Sequence, residues 1–301
     1  MIIHSVWEVV QAEAAAVTGK LGVCFTDLKT GERCSLHGDE PFPSASVFKI
    51  FVLAELFRQA AAGRFDLDDR YPLREEDKSE GSGVLQLLAA GMEPTLRDYA
   101  TLMMILSDNT AADFLFRLTG KENIRENVLK PLGLVKTKCD LTCSDLISIC
   151  YQMQPGQNLH ARIGGDSPFL LNTAPYIGAL PENDETSPHD VSALLERLYL
   201  GKWIDRKADT EMLEIMKRCQ TNARIPKYLP KGTAVAHKTG TMDRVANDAG
   251  IIYTPEGDYI LSMFYNGNMA SEQEYLSNDH NFVGDELLAR LSQKIYDIYT
   301  A

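Results

Sequence analysis

The chain has 301 residues, of which 45% are hydrophobic and 24% charged; this is ordinary globular composition and excludes a disordered tail or a collagen-like fibre. Thirty Lys and Arg against 42 Asp and Glu leave a net charge of −12, whose field repels phosphate backbones and anionic headgroups, so nucleic acid is not an expected partner. No apolar run approaches the roughly 18 to 20 residues that would span a bilayer, so no membrane partner is expected either.

The first segment lacks the basic start and unbroken apolar stretch of a secretory leader, because Glu8 and Glu13 interrupt it. Ile3, Trp7, Val10 and Ala14 recur at helical spacing instead and predict an amphipathic opening helix. As it stands the sequence predicts a cytoplasmic chain. The six cysteines (Cys24, Cys34, Cys139, Cys143, Cys150, Cys219) form no disulfide framework and no zinc-type spacing, and read as ordinary thiols in a reducing compartment.

Leu21 to Asp27 and Arg33 to His37 alternate around a polar turn, which predicts a β-hairpin. A helix follows from Ser44–Ser46 to a stop at Gly63. Periodicity then stays mostly helical to about residue 220, with Thr95/Asp98 and Ser187/Asp190 as helix-start signals. Two Gly/Pro/Asn-rich stretches, 66–92 and 153–184, read as long surface loops, and loops of that length are more often functional than incidental. Beyond Gly232 the runs TAVAHKTG and AGIIYTPEGDYILSMFYNG predict antiparallel strands turning at Pro255–Asp258, and Asn281 to Tyr299 predicts a closing helix. The expected class is α+β: an antiparallel sheet of about five strands built from both chain ends, flanked by the terminal helices. Residues 1–64 and 218–301 would form a discontinuous α/β domain and 65–217 an inserted all-α domain, with the active site at their interface.

Three short motifs carry chemistry. Ser46-Val47-Phe48-Lys49 places a hydroxyl and an amine at i and i+3 near a helix start, within reach of each other. A serine becomes a nucleophile when an adjacent base takes its proton, and helix-start N–H groups favour a developing oxyanion. Ser107-Asp108-Asn109 sits at a break between two helical segments, and Lys238-Thr239-Gly240 stands near the end of the strand AVA. A second Lys-Thr-Gly at 29–31 falls in the first hairpin's turn, where those residue types are turn formers. His237 reads as a polar strand residue.

In this order and spacing, S-x-x-K, S-D-N and K-T-G resemble the signature of class A β-lactamases and penicillin-binding proteins. The resemblance runs over nearly the full chain and implies cofactor-free acyl transfer on a small-molecule substrate by a monomer, with no metal. It implies Ser46 as the acylated nucleophile, Lys49 as its base or proton relay, and Ser107 as a proton shuttle. By the same resemblance Asn109, Thr239, Gly240 and Lys238 bind substrate, and the N–H groups of Ser46 and Thr241 form the oxyanion hole. Asp108 is expected to be structural, and Arg224 and Arg244 compete as partners of a substrate carboxylate. One departure stands out: class A enzymes carry a Glu three residues before a Leu-Asn pair, whereas Pro168 stands three before Leu171-Asn172. The nearest acids are Asp166, Glu182 and Asp184, the last reading as the loop's structural exit. The leading expectation is therefore a β-lactamase-like serine hydrolase. The alternatives are a penicillin-binding, acyl-trapping protein or DD-peptidase relative with slow deacylation, a cytosolic glutaminase-type amidohydrolase, and, last, a catalytically dead binding module.

Overall fold

The computed structural model describes residues 2–150, 153, 183–242, 244–267 and 280–301. Helix α1 (Ile2–Ala16) leads into strands β1 (Lys20–Asp27) and β2 (Arg33–Leu36), which pair antiparallel as the alternation predicts. Asp27 holds the turn between them through the backbone N–H of Lys29 and the hydroxyl of Thr30. Lys29 is thereby committed to the hairpin.

A two-stranded ribbon of β3 (Phe42–Pro43) and β4 (Glu185–Thr186) lies beside the main sheet. Strands β5 (Val235–Met242), β6 (Val245–Thr254) and β7 (Gly257–Asn266) complete an antiparallel five-stranded sheet in the order β2-β1-β7-β6-β5. From Leu21 to Asp27 every residue of β1 is buried, because helices cover both sheet faces and leave no solvated side.

One face is covered by α1 and the terminal helix His280–Tyr299, which bury Val6, Val10, Phe25, Leu261, Leu288 and Ile295 together. Val6 and Val10 carry the burial of α1, while Ile3, Trp7 and Ala14 of the expected stripe are only half-buried. The other face meets the larger core, centred on helix α2 (Lys49–Ala61). Every α2 residue from Lys49 to Phe57 is buried, as expected of a helix that is apolar nearly all round. It ends at Ala62, with Gly63 beyond it at φ +73°, the left-handed stop.

Helices α3 (Leu96–Ile105), α4 (Asn109–Thr119), α5 (Cys143–Cys150), α6 (Pro188–Leu200) and α7 (Arg206–Met216), with a helical segment over 121–132 that adds Ile124, Val128 and Leu129 to the core, build the rest of the helical layer; the terminal helix is α8. Thr95 and Asp98 form a reciprocal capping box at α3. At α6 only half of the expected box forms: Ser187 accepts from the Asp190 N–H, but the Asp190 carboxylate turns away to the Thr137 hydroxyl and the Lys136 N–H. The first expected loop, 66–92, is irregular apart from short 3-10 turns. Most of the second, 153–184, lies outside the described residues, as do Asp166, Pro168, Leu171, Asn172 and Glu182.

Candidate active site

Ser46 sits in a 3-10 turn (Ala45–Phe48) that continues into α2. The chain reaches it through Ala45 at φ +44°, a left-handed conformation that costs a non-glycine residue about 1–2 kcal/mol. The strain is held from both sides. Ser44 donates its N–H and hydroxyl to the Asp184 carbonyl at 2.9 and 3.1 Å, and Asn247 Nδ2 donates to the Pro43 and Ser44 carbonyls. Strand β5 presses in as well: a Cβ on Gly240 would stand 2.7 Å from the Ser44 carbonyl oxygen. Only glycine lets the K-T-G strand approach this turn. Ser46 itself is half-buried, and its hydroxyl makes no hydrogen bond to another of the described residues.

Lys49 is fully buried one turn on, and its ammonium is saturated. It donates to the Ser107 carbonyl at 2.7 Å, the Asn109 side-chain oxygen at 2.8 Å and the Ser107 hydroxyl at 3.2 Å. Lys238, fully buried on β5, donates to the same hydroxyl at 3.0 Å and to the Thr239 carbonyl at 2.7 Å. Ser107 Oγ thus accepts from two ammonium groups, and its own proton must point elsewhere. Burial and the neighbouring Lys49 charge bring Lys238 down to about 7, against the opposing pull of Cys219 and Asp248. The three motifs, whose Ser107 and Lys238 lie 131 residues apart, converge on one hydroxyl.

Ser107 is itself held at φ +55°. Asp108 stabilises this break between α3 and α4: one carboxylate oxygen accepts the Ala111 N–H as an N-cap, the other accepts the Val84 and Leu85 N–H groups. Its role is structural, and it fastens the 66–92 loop under the site. Gly83 is required there, since a Cβ would fall 2.3 Å from the Asp108 carboxyl. Asn109 completes the clamp by donating Nδ2 to the Glu80 carbonyl.

Helix α5 forms a further wall that its sequence gave no reason to expect. Asp113 on α4 accepts the Cys143 N–H at 2.6 Å, the Ser144 N–H at 3.0 Å and the Ser79 hydroxyl, seating the helix start over the site. Leu146, one turn on, packs on Ala45 and Val245. Cys143 is buried against the Lys49 ammonium. Burial pushes its thiol up to about 12, with Lys49 lowering it and Asp113 raising it again. Three carboxylates around the site are committed elsewhere: Asp108 and Asp113 as above, and Asp184 to the Asp140 and Leu141 N–H groups at 2.7 and 3.3 Å. Burial raises Asp184 to about 7.

On the β5 side, Thr239 exchanges a 2.8 Å hydrogen bond with Thr221, and Thr241 stands exposed beyond Gly240. Arg224 is buried beneath them. It donates Nε to Asp285, Nη1 to the Gly240 and Asn247 carbonyls, and Nη2 to the Thr241 hydroxyl, so four of the five guanidinium N–H bonds are committed. Its charge underpins the strand. Arg244 occupies the β5–β6 turn at φ +62°. His237 is no ordinary strand residue: it is buried, faces Asp248 at 2.9 Å and is raised to about 10, the Asp248 charge and hydrogen bond outweighing burial. Among the described residues no group of three or more His, Cys, Asp or Glu is placed to hold a metal ion, and no helix is long and apolar enough to cross a membrane.

This fold has known counterparts. Beta-lactamase L2 of Stenotrophomonas maltophilia is 27% identical over 263 residues, 86% of this chain and 77% of its own, and Beta-lactamase 3 of Bacillus cereus is 24% identical over 259 residues, 85% and 72%. Among solved structures, a beta-lactamase from Sphaerobacter thermophilus matches with a TM-score of 0.78 at 27% identity, covering 99% of this chain and 97% of that one. PBP-A, and a point mutant of it solved as an acyl-enzyme complex with penicillin G, match at 0.77 and 23% identity, covering 99% and 96%. The Beta-lactamase enzyme family matches residues 5–299. With the S-x-x-K, S-D-N and K-T-G residues meeting on one hydroxyl within that fold, the chain belongs to the beta-lactamase enzyme family.

Proposed function

We propose that Ser46 is the nucleophile of an acyl-transfer site that opens β-lactams or related amides and esters, acylating rapidly and deacylating slowly. The observation that carries this reading is the Ser107 hydroxyl, shared by Lys49 and Lys238 beside a half-buried serine with no partner of its own among the described residues. Ser46 Oγ attacks the carbonyl carbon, and its proton travels along the Lys49–Ser107 chain to the departing nitrogen. The C–N bond breaks as the Ser46 ester forms. The N–H groups of Ser46 and Thr241 receive the oxyanion, a donor of that kind being worth about 2.7–4 kcal/mol. Lys238 and Thr239 take the substrate carboxylate, Gly240 lets the strand lie against it, and Asn109 orients the substrate's amide. Arg224 acts by holding Gly240 and Thr241 in place.

Slow deacylation is favoured by what surrounds Lys49. Hydrolysis of the ester needs a base within hydrogen-bond reach of a water. The Asp108, Asp113 and Asp184 carboxylates are engaged by backbone N–H groups, and the thiol beside Lys49 is raised to about 12, neutral at physiological pH. An acyl-enzyme with penicillin G is the form in which the PBP-A mutant was solved, and the same kind of ester is expected here.

Rapid mixing with a chromogenic β-lactam tests the reading. The expected record is a burst of one ring-opening per protein followed by a slow steady state, with intact-mass spectrometry showing a single adduct during the slow phase. Absence of both burst and adduct would sink the acyl-enzyme reading; a steady rate equal to the burst rate would sink slow deacylation.

A pH profile tests the place of Lys238. A carboxylate-bearing substrate requires the ammonium form, and kcat/KM reports the free protein. With Lys238 near 7, the acylation constant is expected to fall as pH climbs through about 7. Lys238→Arg cannot lose its charge in this range and should flatten the fall. The same pH dependence in both proteins would remove Lys238 from carboxylate binding.

A further inference from the structure

Beside β5 lies a cavity of about 390 Å³ bounded by the 217–234 segment. This is within the roughly 300–1,000 Å³ of small-molecule sites. Cys219 and His237 form part of its wall, and Lys217, Lys227 and Lys231 line it toward solvent. None of the acylation chemistry uses this cavity.

Two residues of its wall, Cys219 and His237, belong to a second reactive cluster. Asp248 accepts from His237 Nδ1 at 2.9 Å and from the Ile225 N–H at 3.0 Å, fixing the ring; His237 Nε2 lies 3.3 Å from Asn222 Oδ1, and Cys219 shares the cavity wall with the imidazole. The Thr221 hydroxyl lies 3.1 Å from the Cys219 sulfur and 2.8 Å from the Thr239 hydroxyl. A thiol beside an imidazole that is oriented by a carboxylate is the arrangement that makes cysteine nucleophilic. Lys217 and Lys227 are paired with Glu214 and Glu286 at 2.8 and 2.7 Å, so it is Lys231, with no ion pair to another of the described residues, that favours an anionic partner.

We infer that Cys219, with His237 and Asp248, is a thiol-exchange site that takes an anionic low-molecular-weight disulfide and, through Thr221, governs substrate binding at Thr239. The inference about Thr239 rests on the acyl-transfer reading of the first site. The Cys219 thiolate attacks one sulfur of the disulfide, whose S–S bond breaks. A protein mixed disulfide forms, and the departing thiolate takes its proton from the His237 imidazolium. The disulfide is the oxidant, and nothing else is consumed. The adduct takes the Cys219 sulfur out of its contact with Thr221 and turns the thiolate beside Lys238 into a neutral sulfur, so the setting of the Thr221–Thr239 hydrogen bond and the charge felt by Lys238 both change.

The electrostatics agree with the geometry. Burial raises the thiol, but the His237 hydrogen bond and the His237 and Lys238 charges outweigh it, bringing Cys219 down to about 7. The other described cysteines whose titration is shifted go the opposite way: Cys34 is pushed up to about 11, Cys143 to about 12, and Cys139 upward as well, in each case chiefly by burial.

Oxidised glutathione is the probe, used on the whole folded chain. Intact mass and peptide mapping are expected to find a single glutathione adduct, on Cys219, forming at least about tenfold faster than at Cys34 and rising with pH around 7 rather than around the ordinary thiol value of about 8.5. Cys219→Ser should lose that adduct while keeping its melting temperature. Modification of another cysteine in preference, an unchanged adduct in Cys219→Ser, or a rise only near the ordinary thiol range would each overturn the site. Acylation by a penicillin, run in parallel on unmodified protein as its own control, should slow on the adduct and recover with dithiothreitol. Equal acylation of the two forms would overturn the link to Thr239, and an unmodified protein that fails to acylate would count against the acyl-enzyme reading while leaving the adduct result standing.

Discussion

Ser46→Ala is expected to abolish the covalent penicillin adduct and to cut β-lactam opening by on the order of 10⁶, the scale on which serine hydrolases lose rate with their nucleophile. The substitution deletes one oxygen from a half-buried side chain with no hydrogen bond to a described residue, so melting temperature should be unchanged and the loss can be assigned to chemistry. Lys49→Ala is the companion. Its ammonium joins the Ser107 carbonyl, the Ser107 hydroxyl and Asn109, so acylation should slow by at least about the 10²-fold that proton transfer contributes. The buried acceptors it leaves unpaired should also lower stability, by about 1–3 kcal/mol for each group left without water. Intact-mass kinetics on both variants check this. An adduct that survives in Ser46→Ala would place the nucleophile elsewhere, and an unchanged acylation rate in Lys49→Ala would take Lys49 out of the proton path.

The second large effect is a gain. Cys143→Glu would put a carboxylate against Lys49, on a helix start whose backbone Asp113 already fixes at 2.6 and 3.0 Å. The opposing ammonium offsets the cost of burying the new charge, and an opposite charge at that distance keeps the carboxyl ionised at neutral pH. A base so placed should shorten the acyl-enzyme lifetime by about 10² to 10⁴, while the burst rate changes little. Cys143→Ser, which adds no base, should keep the long lifetime. The measurement is the decay of the penicillin adduct after removal of excess drug. If folded Cys143→Glu decays no faster than the parent, Cys143 does not control deacylation.

The elements and the three motifs were legible in the amino-acid order, because each depends on near neighbours. Alternation set the hairpin of β1 and β2, the Thr95/Asp98 box set the start of α3, and Gly63 set the end of α2. Ser46 and Lys49 could be placed on one helical turn from their i, i+3 spacing alone. Order and spacing also separated Lys238 from its duplicate at Lys29, which the folded chain commits to a hairpin turn through Asp27.

Whatever depends on distant segments meeting had to wait for the folded chain. No local pattern shows that Lys49 and Lys238 share the Ser107 hydroxyl, that Asp113 seats Cys143 on Lys49, or that Arg224 spends its N–H groups beneath β5. Cys143 and Cys219 read alike in the sequence, as two small thiols in polar surroundings. Burial beside Asp113 pushes one thiol up to about 12, and the His237 imidazole brings the other down to about 7. A side chain's charge state is set by desolvation and by the charges within a few ångströms of it, and those neighbours are chosen by the fold.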